Sequence, residues 1–249
     1  MRLRRKFYNL KNSIYNPSKF NYKELKRTTL NGSRKYMTPD GFAVPSVTTI
    51  LDANKPEEAK QALQNWRNRV GHKQAQAITT EAAGRGTRMH KWLENYVKLG
   101  ATGDPGSNPY SQQSHLMAKT IIDNGLSKCN EFWATEASLY FPEMYAGTTD
   151  LVGVHDNSEA IIDFKQTNKL KKREWIEDYF IQVAAYAMAH DHVYGTQIDK
   201  CIIMMCDPNN LYQEFVIRGY EIKNYKHKFL RRLDEYYNKI NKLTGVDKT

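Results

Sequence analysis

The sequence predicts a mixed α/β or α+β fold, in which a mixed but mainly antiparallel sheet of about five strands is flanked by helices. Three strand-like runs lie close together between residues 133 and 167, and this grouping is typical of an antiparallel meander. A helical stretch then leads to a very apolar run at 201–206, as expected for a strand that is covered on both faces. These observations favour helices and a sheet packed in layers.

Local signals support the individual elements. Ser46 is a suitable N-cap for the first helix, and Pro56 interrupts that helix. Met89, Leu93 and Val97 recur every four residues on one helical face. In chain order, we expect a turn and extended chain at 39–46, helices at 47–70 and 87–98, a loop at 100–109, a helix at 112–129, strands at 133–141, 145–154 and 160–167, a helix at 178–192, strands at 201–206 and 211–217, and a basic amphipathic helix at 221–243.

The composition is that of an ordinary globular protein. The 249 residues are 40% apolar and 26% charged, which excludes collagen-like, wholly disordered and disulfide-scaffold classes. No apolar run reaches the roughly 18 residues that a membrane span needs, and the N-terminus lacks the apolar stretch of a signal peptide. We therefore expect a cytoplasmic protein that has no membrane partner. The three cysteines show no CxxC spacing, so neither a disulfide framework nor a zinc or iron–sulfur cluster is indicated.

The net charge of +10 is concentrated in the first forty residues, which hold eleven lysines and arginines against two acidic residues. Aromatic residues are interleaved with these cations, so the segment can offer charges to phosphates and rings to unpaired bases. A solubilising tail is the alternative interpretation. We divide the chain into a basic, aromatic N-terminal extension (1–40) and one folded domain (41–249), with a helical part at about 46–130, a sheet core at about 131–218 and a C-terminal basic helix at about 221–243.

A predicted hairpin carries the strongest chemical signal, because it joins a strand with Asp150 to a strand with Asp163 and Lys165. If the turn centres between residues 157 and 158, Asp150 faces Lys165, and alternation along the strands places all three side chains on one face. Two carboxylates this close repel each other, and a divalent cation would offset the repulsion. Such ligands suit Mg²⁺ or Mn²⁺, and the lysine could orient a water or stabilise developing charge. A solvated charge pair is the simpler alternative.

Two helices offer further polar side chains at one-turn spacing. His90 and Glu94 share a helical face and could present an imidazole to the same cation, although a structural histidine is the alternative. Gln182 and Tyr186 are likewise four residues apart, in an otherwise apolar helix. A buried glutamine without a partner would cost about 1–3 kcal/mol, so we expect Gln182 to bond a group near the hairpin.

The order of these residues resembles the PD-(D/E)XK nuclease superfamily, in its RecB-type exonuclease branch. The similarity extends over about residues 43–207, and its motifs are Gly86-Thr87-Arg88-Met89-His90, Glu136, Ala146-Gly147-Thr148-Thr149-Asp150, Asp163-Phe164-Lys165 and Gln182-x-x-x-Tyr186. The stretches 45–51 and 182–186 are more narrowly similar to the mitochondrial genome maintenance exonucleases and their phage-encoded relatives. The resemblance implies a restriction-endonuclease-like core with an N-terminal helical subdomain.

Roles follow from this resemblance position by position. Lys165 is implied to position the attacking water beside Asp150 and Asp163. The groups implied to hold the metal are His90, Asp150, Asp163 and the main-chain carbonyl of Phe164, with Glu136 as an additional acidic group near the metal. The residues implied to brace the site or to contact DNA are Gln182, Tyr186, Arg88, Glu94, Thr167 and Lys169. The cysteines of iron–sulfur-bearing relatives are absent, so no such cluster is expected. Gln166-Thr167 stands where Thr-Ser is common in the superfamily, which leaves the contacts beyond the lysine open.

The expected function is a Mg²⁺- or Mn²⁺-dependent DNA exonuclease that hydrolyses phosphodiester bonds. Single-stranded DNA is the favoured partner, because basic segments rich in aromatic residues grip unpaired bases. The family suggests phage DNA processing, recombination or host DNA degradation, in the host cytoplasm. A structure- or sequence-specific endonuclease on the same fold and a DNA-binding module without cleavage stay open as alternatives. RNA also stays open as a substrate, since no residue tests for a 2′-hydroxyl.

Overall fold

A computed structural model describes residues 13–30 and 33–244 of the chain, so the first twelve residues of the basic extension lie outside the described part. The strands are β1 (Ile14–Tyr15), β2 (Lys26–Leu30), β3 (Ser33–Met37), β4 (Ala43–Pro45), β5 (Cys129–Phe141), β6 (Tyr145–His155), β7 (Ser158–Gln166), β8 (Lys200–Cys206) and β9 (Tyr212–Arg218). The α-helices are α1 (Val47–Ala53), α2 (Glu57–Val70), α3 (His72–Leu99), α4 (Pro109–Asn124), α5 (Glu177–Tyr194) and α6 (Tyr220–Thr244). Within these residues, no helix combines the length and the apolar character that a membrane crossing requires.

Six strands form the main sheet, in the order β1-β5-β6-β7-β8-β9. β5, β6 and β7 form the predicted antiparallel meander, β8 lies parallel to β7, and β9 returns antiparallel to β8. α5 makes the long connection that two parallel neighbours need. The predicted mixed, mainly antiparallel sheet is therefore confirmed, and the strand beyond the expected five is the short β1, which pairs in parallel with one edge of β5.

Each face of this sheet has its own apolar core. α3 and α4 cover one face, where Met89 and Phe164 are buried. α1, α5 and α6 cover the other face, around Trp133 and Phe180. Every residue of β8 is buried, which explains why its residues 201–206 form a continuous apolar run rather than an alternating one. α3 and α5 both reach the end of the sheet where β6 begins and β7 ends, and the candidate site lies there.

α3 is longer than the sequence indicates. It begins at His72 rather than near residue 87 and ends at Leu99, so it is 28 residues long. Its first half was missed because only two residues between 72 and 86 are buried, so no apolar stripe marks the helix there. The preceding helices divide as predicted, with the Ser46 hydroxyl as the cap of α1 and Pro56 immediately before α2.

α4 lies several residues earlier than expected. Asn108 caps it by accepting hydrogen bonds from the N–H groups of Tyr110 and Ser111, and Pro109 occupies the first helical position. The helix ends before Gly125, so the predicted end at residue 129 is wrong. A single 3-10 turn follows, and the next residue already begins β5.

Residues of the N-terminal extension pack onto the rest of the chain. β2, β3 and β4 form a separate antiparallel sheet, in which Tyr36 is buried against Ala146 of β6. Upstream of that sheet, the rings of Phe20 and Tyr22 pack against His190 of α5. These contacts place part of the basic, aromatic segment next to β5 and β6.

Candidate metal and catalytic centre

A two-residue turn sets the register of the β6–β7 hairpin. His155 lies opposite Ser158, and the turn residues Asp156 and Asn157 have positive φ angles of 46° and 61°. A turn with two positive φ angles matches the twist of the flanking strands, and Asp and Asn tolerate this conformation. The turn therefore lies one residue closer to the N-terminus than the sequence suggested.

This register changes which residues face each other. Leu151 pairs with Ile162, and the same register extended by one residue places Asp150 opposite Asp163. The prediction that Asp150 faces Lys165 is therefore wrong. The pairing has shifted by two residues, which preserves the alternation of side chains. Asp150, Asp163 and Lys165 therefore still belong to one face of the hairpin.

Asp150 lies at the centre of the site. Its Oδ2 accepts a hydrogen bond of 2.6 Å from the main-chain N–H of Phe164, and its Oδ1 lies 3.4 Å from Nδ1 of His90 on α3. One ligand atom each from His90, Glu136 and Asp150 lie within 4.8 Å of one another. Glu136 extends from β5 with a φ of +52°, a conformation that is uncommon for a residue with a side chain and that clusters at functional sites. Three separate elements thus bring these donors together.

Asp163 and Lys165 form an ion pair beside this group. Oδ2 of Asp163 lies 2.5 Å from Nζ of Lys165, and Asp163 is only 1% exposed. The ammonium of Lys165 also lies 5.0 Å from the centre of the Tyr179 ring on α5. Burial of the aspartate excludes the interpretation of this motif as a solvated surface pair. Tyr179 was not identified from the sequence, although it precedes Gln182 by three residues on the same helix.

The crowded charges shift pKa values in different directions. Burial would raise the pKa of Asp150, but His90, Lys165 and the bond from Phe164 hold it below its ordinary value. Burial raises the pKa of Asp163 to about 6, although Lys165 opposes this rise. Burial would lower the pKa of His90, yet the neighbouring Asp150 raises it to about 9. Two neighbouring carboxyl groups whose pKa values are shifted in opposite directions are typical of functional sites.

The donor set fits a divalent cation. His90, Glu136 and Asp150 offer one imidazole nitrogen and two carboxylates, and Mn²⁺ or Mg²⁺ could fill its remaining positions with water and substrate oxygens. The raised pKa of His90 favours a protonated imidazole beside Asp150, and a bound cation would supply that positive charge in its place. These three are the group of donors with such spacing among the residues that the structure describes. Asp163 is engaged by Lys165 at the edge of this group.

The predicted bracing pair lies against β6. Nε2 of Gln182 donates a hydrogen bond of 3.1 Å to the hydroxyl of Tyr186, and both residues are buried. The glutamine therefore finds its partner within its own helix. The ring of Tyr186 fills the space at Gly147, where an added Cβ would lie 2.7 Å from the ring carbon Cε1. The pair thus supports the strand that carries Asp150.

Gly147→Ala is expected to destabilise the protein. The added methyl group would overlap the buried ring of Tyr186, and overpacking of this kind costs about 1–3 kcal/mol of the free energy of unfolding. Urea denaturation followed by circular dichroism measures the change. An unfolding midpoint equal to that of the wild type would show that the ring does not confine Gly147.

Two further candidates on α3 lie outside the centre. Glu94 forms ion pairs with Lys91 at 3.0 Å and Lys98 at 2.7 Å, one turn beyond the site histidine. The guanidinium of Arg88 lies 5.8 Å from the ring of Tyr110 on α4. The structure therefore brings neither side chain into contact with the hairpin carboxylates.

The candidates that follow Lys165 shape the end of β7. The hydroxyl of Thr167 donates a hydrogen bond of 2.7 Å to the main-chain carbonyl of Lys169. Thr167 is buried, whereas the side chain of Lys169 is exposed. Of the two, only Lys169 is available to a ligand from solvent.

Arg85 was missed in the sequence, although it connects two parts of the site. Its buried guanidinium donates to Oε1 of Gln166 at 3.1 and 3.0 Å and also contacts Asn168, so it joins α3 to the end of β7. Gly86 permits this close approach, because a Cβ there would lie 3.2 Å from Cγ of Gln166. Gln166, which departs from the residue common in the superfamily, thus holds α3 against the strand of Lys165. Its position on α3, about one and a half turns before His90, was the sequence signal that could have identified Arg85 as a site residue.

The comparisons with known proteins agree with the resemblance to the PD-(D/E)XK nucleases, since the curated relatives are named as exonucleases. The sequence is similar to mitochondrial genome maintenance exonuclease 1 of Xenopus tropicalis, with 28% identity over 213 residues that cover 79% of this chain and 58% of the relative. The protein of the same name from Mus musculus is 27% identical over 217 residues, which cover 82% and 62%. The chain thus spans about three fifths of the length of these curated relatives. No protein-family model matches the sequence.

Solved structures show weaker similarity. A phage-related exonuclease from Haemophilus somnus overlaps with a TM-score of 0.35 and 14% identity, covering 62% of this chain and 82% of that chain. An alkaline exonuclease from Laribacter hongkongensis overlaps with a TM-score of 0.28 and 13% identity, covering 63% and 85%.

Proposed function

We propose that the chain is a metal-dependent DNA exonuclease that hydrolyses phosphodiester bonds at strand ends. The observation that carries this proposal is the convergence of His90, Glu136 and Asp150 beside the Asp163–Lys165 pair. The names of the curated relatives, which are exonucleases, support the same activity. A DNA-binding module without cleavage would have no need to bury two aspartates beside a half-buried lysine at one end of its sheet.

The roles of the residues follow from their positions. A divalent cation held by His90, Glu136 and Asp150 would lower the pKa of a water and offset negative charge on the phosphodiester. Asp163 keeps Lys165 charged and fixed, because its carboxylate raises the pKa of an ammonium that burial alone would lower. That ammonium can orient the attacking water and stabilise the charge that develops on a phosphate oxygen. The burial of Asp163 strengthens its electrostatic effect on this ammonium.

Cation binding is expected to compete with the proton on His90. Because the pKa of His90 is raised to about 9, the imidazole must lose a proton before it can bind a metal at lower pH. The affinity for Mn²⁺ should therefore rise by about tenfold per pH unit between pH 7 and 8.5. Calorimetric titration in buffers of different ionisation enthalpy measures the proton release, which we expect to be close to one per cation at pH 7.5. His90→Asn should abolish that release, and equal release from both proteins would exclude His90 as the competing group.

Single-stranded DNA is the substrate that the surroundings of the site favour. The sheet of β2, β3 and β4 carries the exposed cations Lys26 and Arg27. The hydroxyl of its Tyr36 lies 3.4 Å from the hydroxyl of Thr148, two residues before Asp150. The sheet that carries these cations therefore contacts the strand of Asp150, and its cations can hold phosphates of a strand that enters the centre. The interleaved aromatic residues add stacking surfaces for unpaired bases.

Removal of residues 1–12 is expected to weaken the binding of single-stranded DNA. This segment holds five lysines and arginines and no acidic residue, and each phosphate contact contributes about 0.7 to the slope of log affinity against log salt. The slope should fall by up to about 3, with the largest loss of affinity at low salt. Fluorescence anisotropy with a labelled oligothymidylate at several KCl concentrations measures both quantities. Parallel salt plots for the two proteins would show that these charges do not contact the DNA.

The activity is tested by a time course on end-labelled single-stranded, duplex and covalently closed circular DNA, with MgCl₂ or MnCl₂ and with a chelator. An exonuclease releases short products progressively from linear strands, spares circles and stops when the chelator is added. Cleavage of circles would favour the endonuclease alternative, and binding without cleavage would favour the non-cleaving module. A matched RNA strand tests the sugar preference. The proposed setting is phage DNA processing, recombination or host DNA degradation in the host cytoplasm.

A further inference from the structure

A cleft opens beside the candidate centre, on the outer edge of β5. Its volume is about 230 Å³. Residues 133–138 of β5 form its floor, Lys98 of α3 lies on one side, and Tyr15, Pro17 and residues 22–24 lie on the other side. Clefts that enclose a drug-sized ligand have volumes of roughly 300–1,000 Å³. This smaller cleft therefore suits a single monomer of a polymer rather than a longer segment.

The cleft is continuous with the centre through Glu136. This residue lines the cleft, and its carboxylate lies within 4.8 Å of donor atoms on His90 and Asp150. The centre extends across three neighbouring strands: β7 carries Asp163 and Lys165, β6 carries Asp150 and β5 carries Glu136. The cleft lies beyond β5, so it comes next in the same direction across the sheet. A DNA strand with a phosphodiester at the centre must continue to both sides of it, and the cleft is the open space on the β5 side.

The floor of the cleft offers hydrogen-bond donors. β1 pairs with β5 only at Glu131 and Phe132. Within the described residues, the outer edge of β5 has no strand partner between residues 133 and 138. The main-chain N–H groups along an unpaired edge are strong donors that a ligand with phosphate or sugar oxygens can satisfy.

The charges and rings of the walls match one nucleotide unit. The lining combines Lys23 and Lys98 with the acidic Glu24 and Glu136, so the cleft is balanced in charge rather than strongly basic. Such a balance favours a base and sugar with a single phosphate over a free polyphosphate. Lys23 is exposed and forms no ion pair in the described part of the chain, whereas Lys98 is held by its ion pair on α3.

The wall on the N-terminal side is fixed in place. The hydroxyl of Tyr22 lies 2.8 Å from Nε2 of His190, and its ring centre lies 4.9 Å from that of Tyr194. The main-chain N–H of Asn16 donates a hydrogen bond of 2.8 Å to the carbonyl of Phe132. The cleft is therefore preformed, which lowers the entropic cost of binding a flexible strand.

We infer that this cleft binds the nucleotide next to the scissile phosphodiester of a single DNA strand, with Lys23 at the phosphate beyond it and Tyr15 or Tyr22 against the base or sugar. This inference rests on the proposed function. It assigns a substrate role to residues 15–24, which lie outside the part of the chain that resembles the nuclease superfamily.

The test couples one lysine to one phosphate. Oligonucleotides with a single neutral methylphosphonate at the first, second or third linkage from each end are cleaved under single-turnover conditions with MgCl₂. Lys23→Glu should raise the half-saturating protein concentration for the unmodified strand by about tenfold, as expected for one lost phosphate contact at low salt. At one of the modified linkages, the one that Lys23 contacts, the half-saturating concentration of the wild type should rise by about the same factor. The same linkage should raise the half-saturating concentration of Lys23→Glu by less than about twofold. Lys223→Glu, which changes an exposed lysine on α6, should behave as the wild type at every linkage.

A second variant fills the cleft without changing its charge. Ser138→Tyr, at a half-buried position of the floor, should raise the half-saturating concentration and leave the maximal rate within about twofold. The cleft assignment would be overturned if Lys23→Glu and the neutral linkage raised the half-saturating concentration additively at every position. An unchanged half-saturating concentration for Ser138→Tyr would also overturn it. Failure of the wild type to cleave any DNA would instead overturn the proposed function, so the two failures are distinguishable.

Discussion

Replacement of Lys165 by alanine is expected to reduce DNA cleavage by about 10³-fold and to change DNA affinity by less than about threefold. The ammonium is held 2.5 Å from Asp163 and next to Asp150, where it can stabilise charge that develops only during the reaction. Loss of one such preorganised group costs about 10²–10³ in rate. Single-turnover cleavage of an end-labelled strand gives the rate, and anisotropy in a chelator gives the affinity.

Lys169→Ala is the matched control for this experiment. Lys169 lies four residues further along the chain and is exposed, so its removal deletes a positive charge outside the buried pair. We expect a small loss of affinity and a cleavage rate within about threefold of the wild type. If the two variants lost affinity and rate in the same proportion, Lys165 would be a phosphate-binding residue without a chemical role.

Asp163→Ala is expected to abolish cleavage to a similar degree. The aspartate is 1% exposed and pairs with Lys165, so its loss leaves a half-buried ammonium without its closest partner. Burial then favours the neutral amine, which lowers the pKa of Lys165 and removes the charge that the reaction uses. Affinity for DNA should remain unchanged or increase, because a negative charge is removed from a site that faces phosphates.

An exposed carboxylate provides the comparison for Asp163. Asp199→Ala deletes an aspartate from the surface before β8 and should retain wild-type cleavage. Thermal unfolding of both variants without DNA checks that they are folded. A folded Asp163→Ala protein that cleaves at more than about one tenth of the wild-type rate would refute the role of this carboxylate.

The fold could be predicted where burial produces a regular pattern. β5, β6 and β7 alternate between the two cores, and the fully buried β8 is a continuous apolar run, so both signals are visible in the sequence. The first half of α3 has almost no buried side chains and therefore left no periodic signal. The strands between residues 14 and 37 were not predicted either, because their contacts are distant in sequence: β1 pairs with β5, and Tyr36 of β3 packs against Ala146 of β6.

The site could be predicted where its parts are local motifs. Asp150, Asp163, Lys165 and His90 were identified from spacing and resemblance, and the structure places them around one point. The exact partners depend on details that spacing does not determine. The two positive φ angles of the turn shifted the pairing by two residues, and the bridge from Arg85 to β7 depends on the approach of two elements more than 80 residues apart.

The central claim is that His90, Glu136 and Asp150 hold a divalent cation on which phosphodiester cleavage depends. The most direct test is a titration of MnCl₂ followed by electron paramagnetic resonance and by the single-turnover cleavage rate, for the wild type and for Asp150→Asn. We predict that the wild type binds Mn²⁺ and cleaves in proportion to its occupancy, and that Asp150→Asn neither binds at the same concentrations nor cleaves. Cleavage by the wild type in excess chelator, or wild-type activity of Asp150→Asn, would contradict the claim.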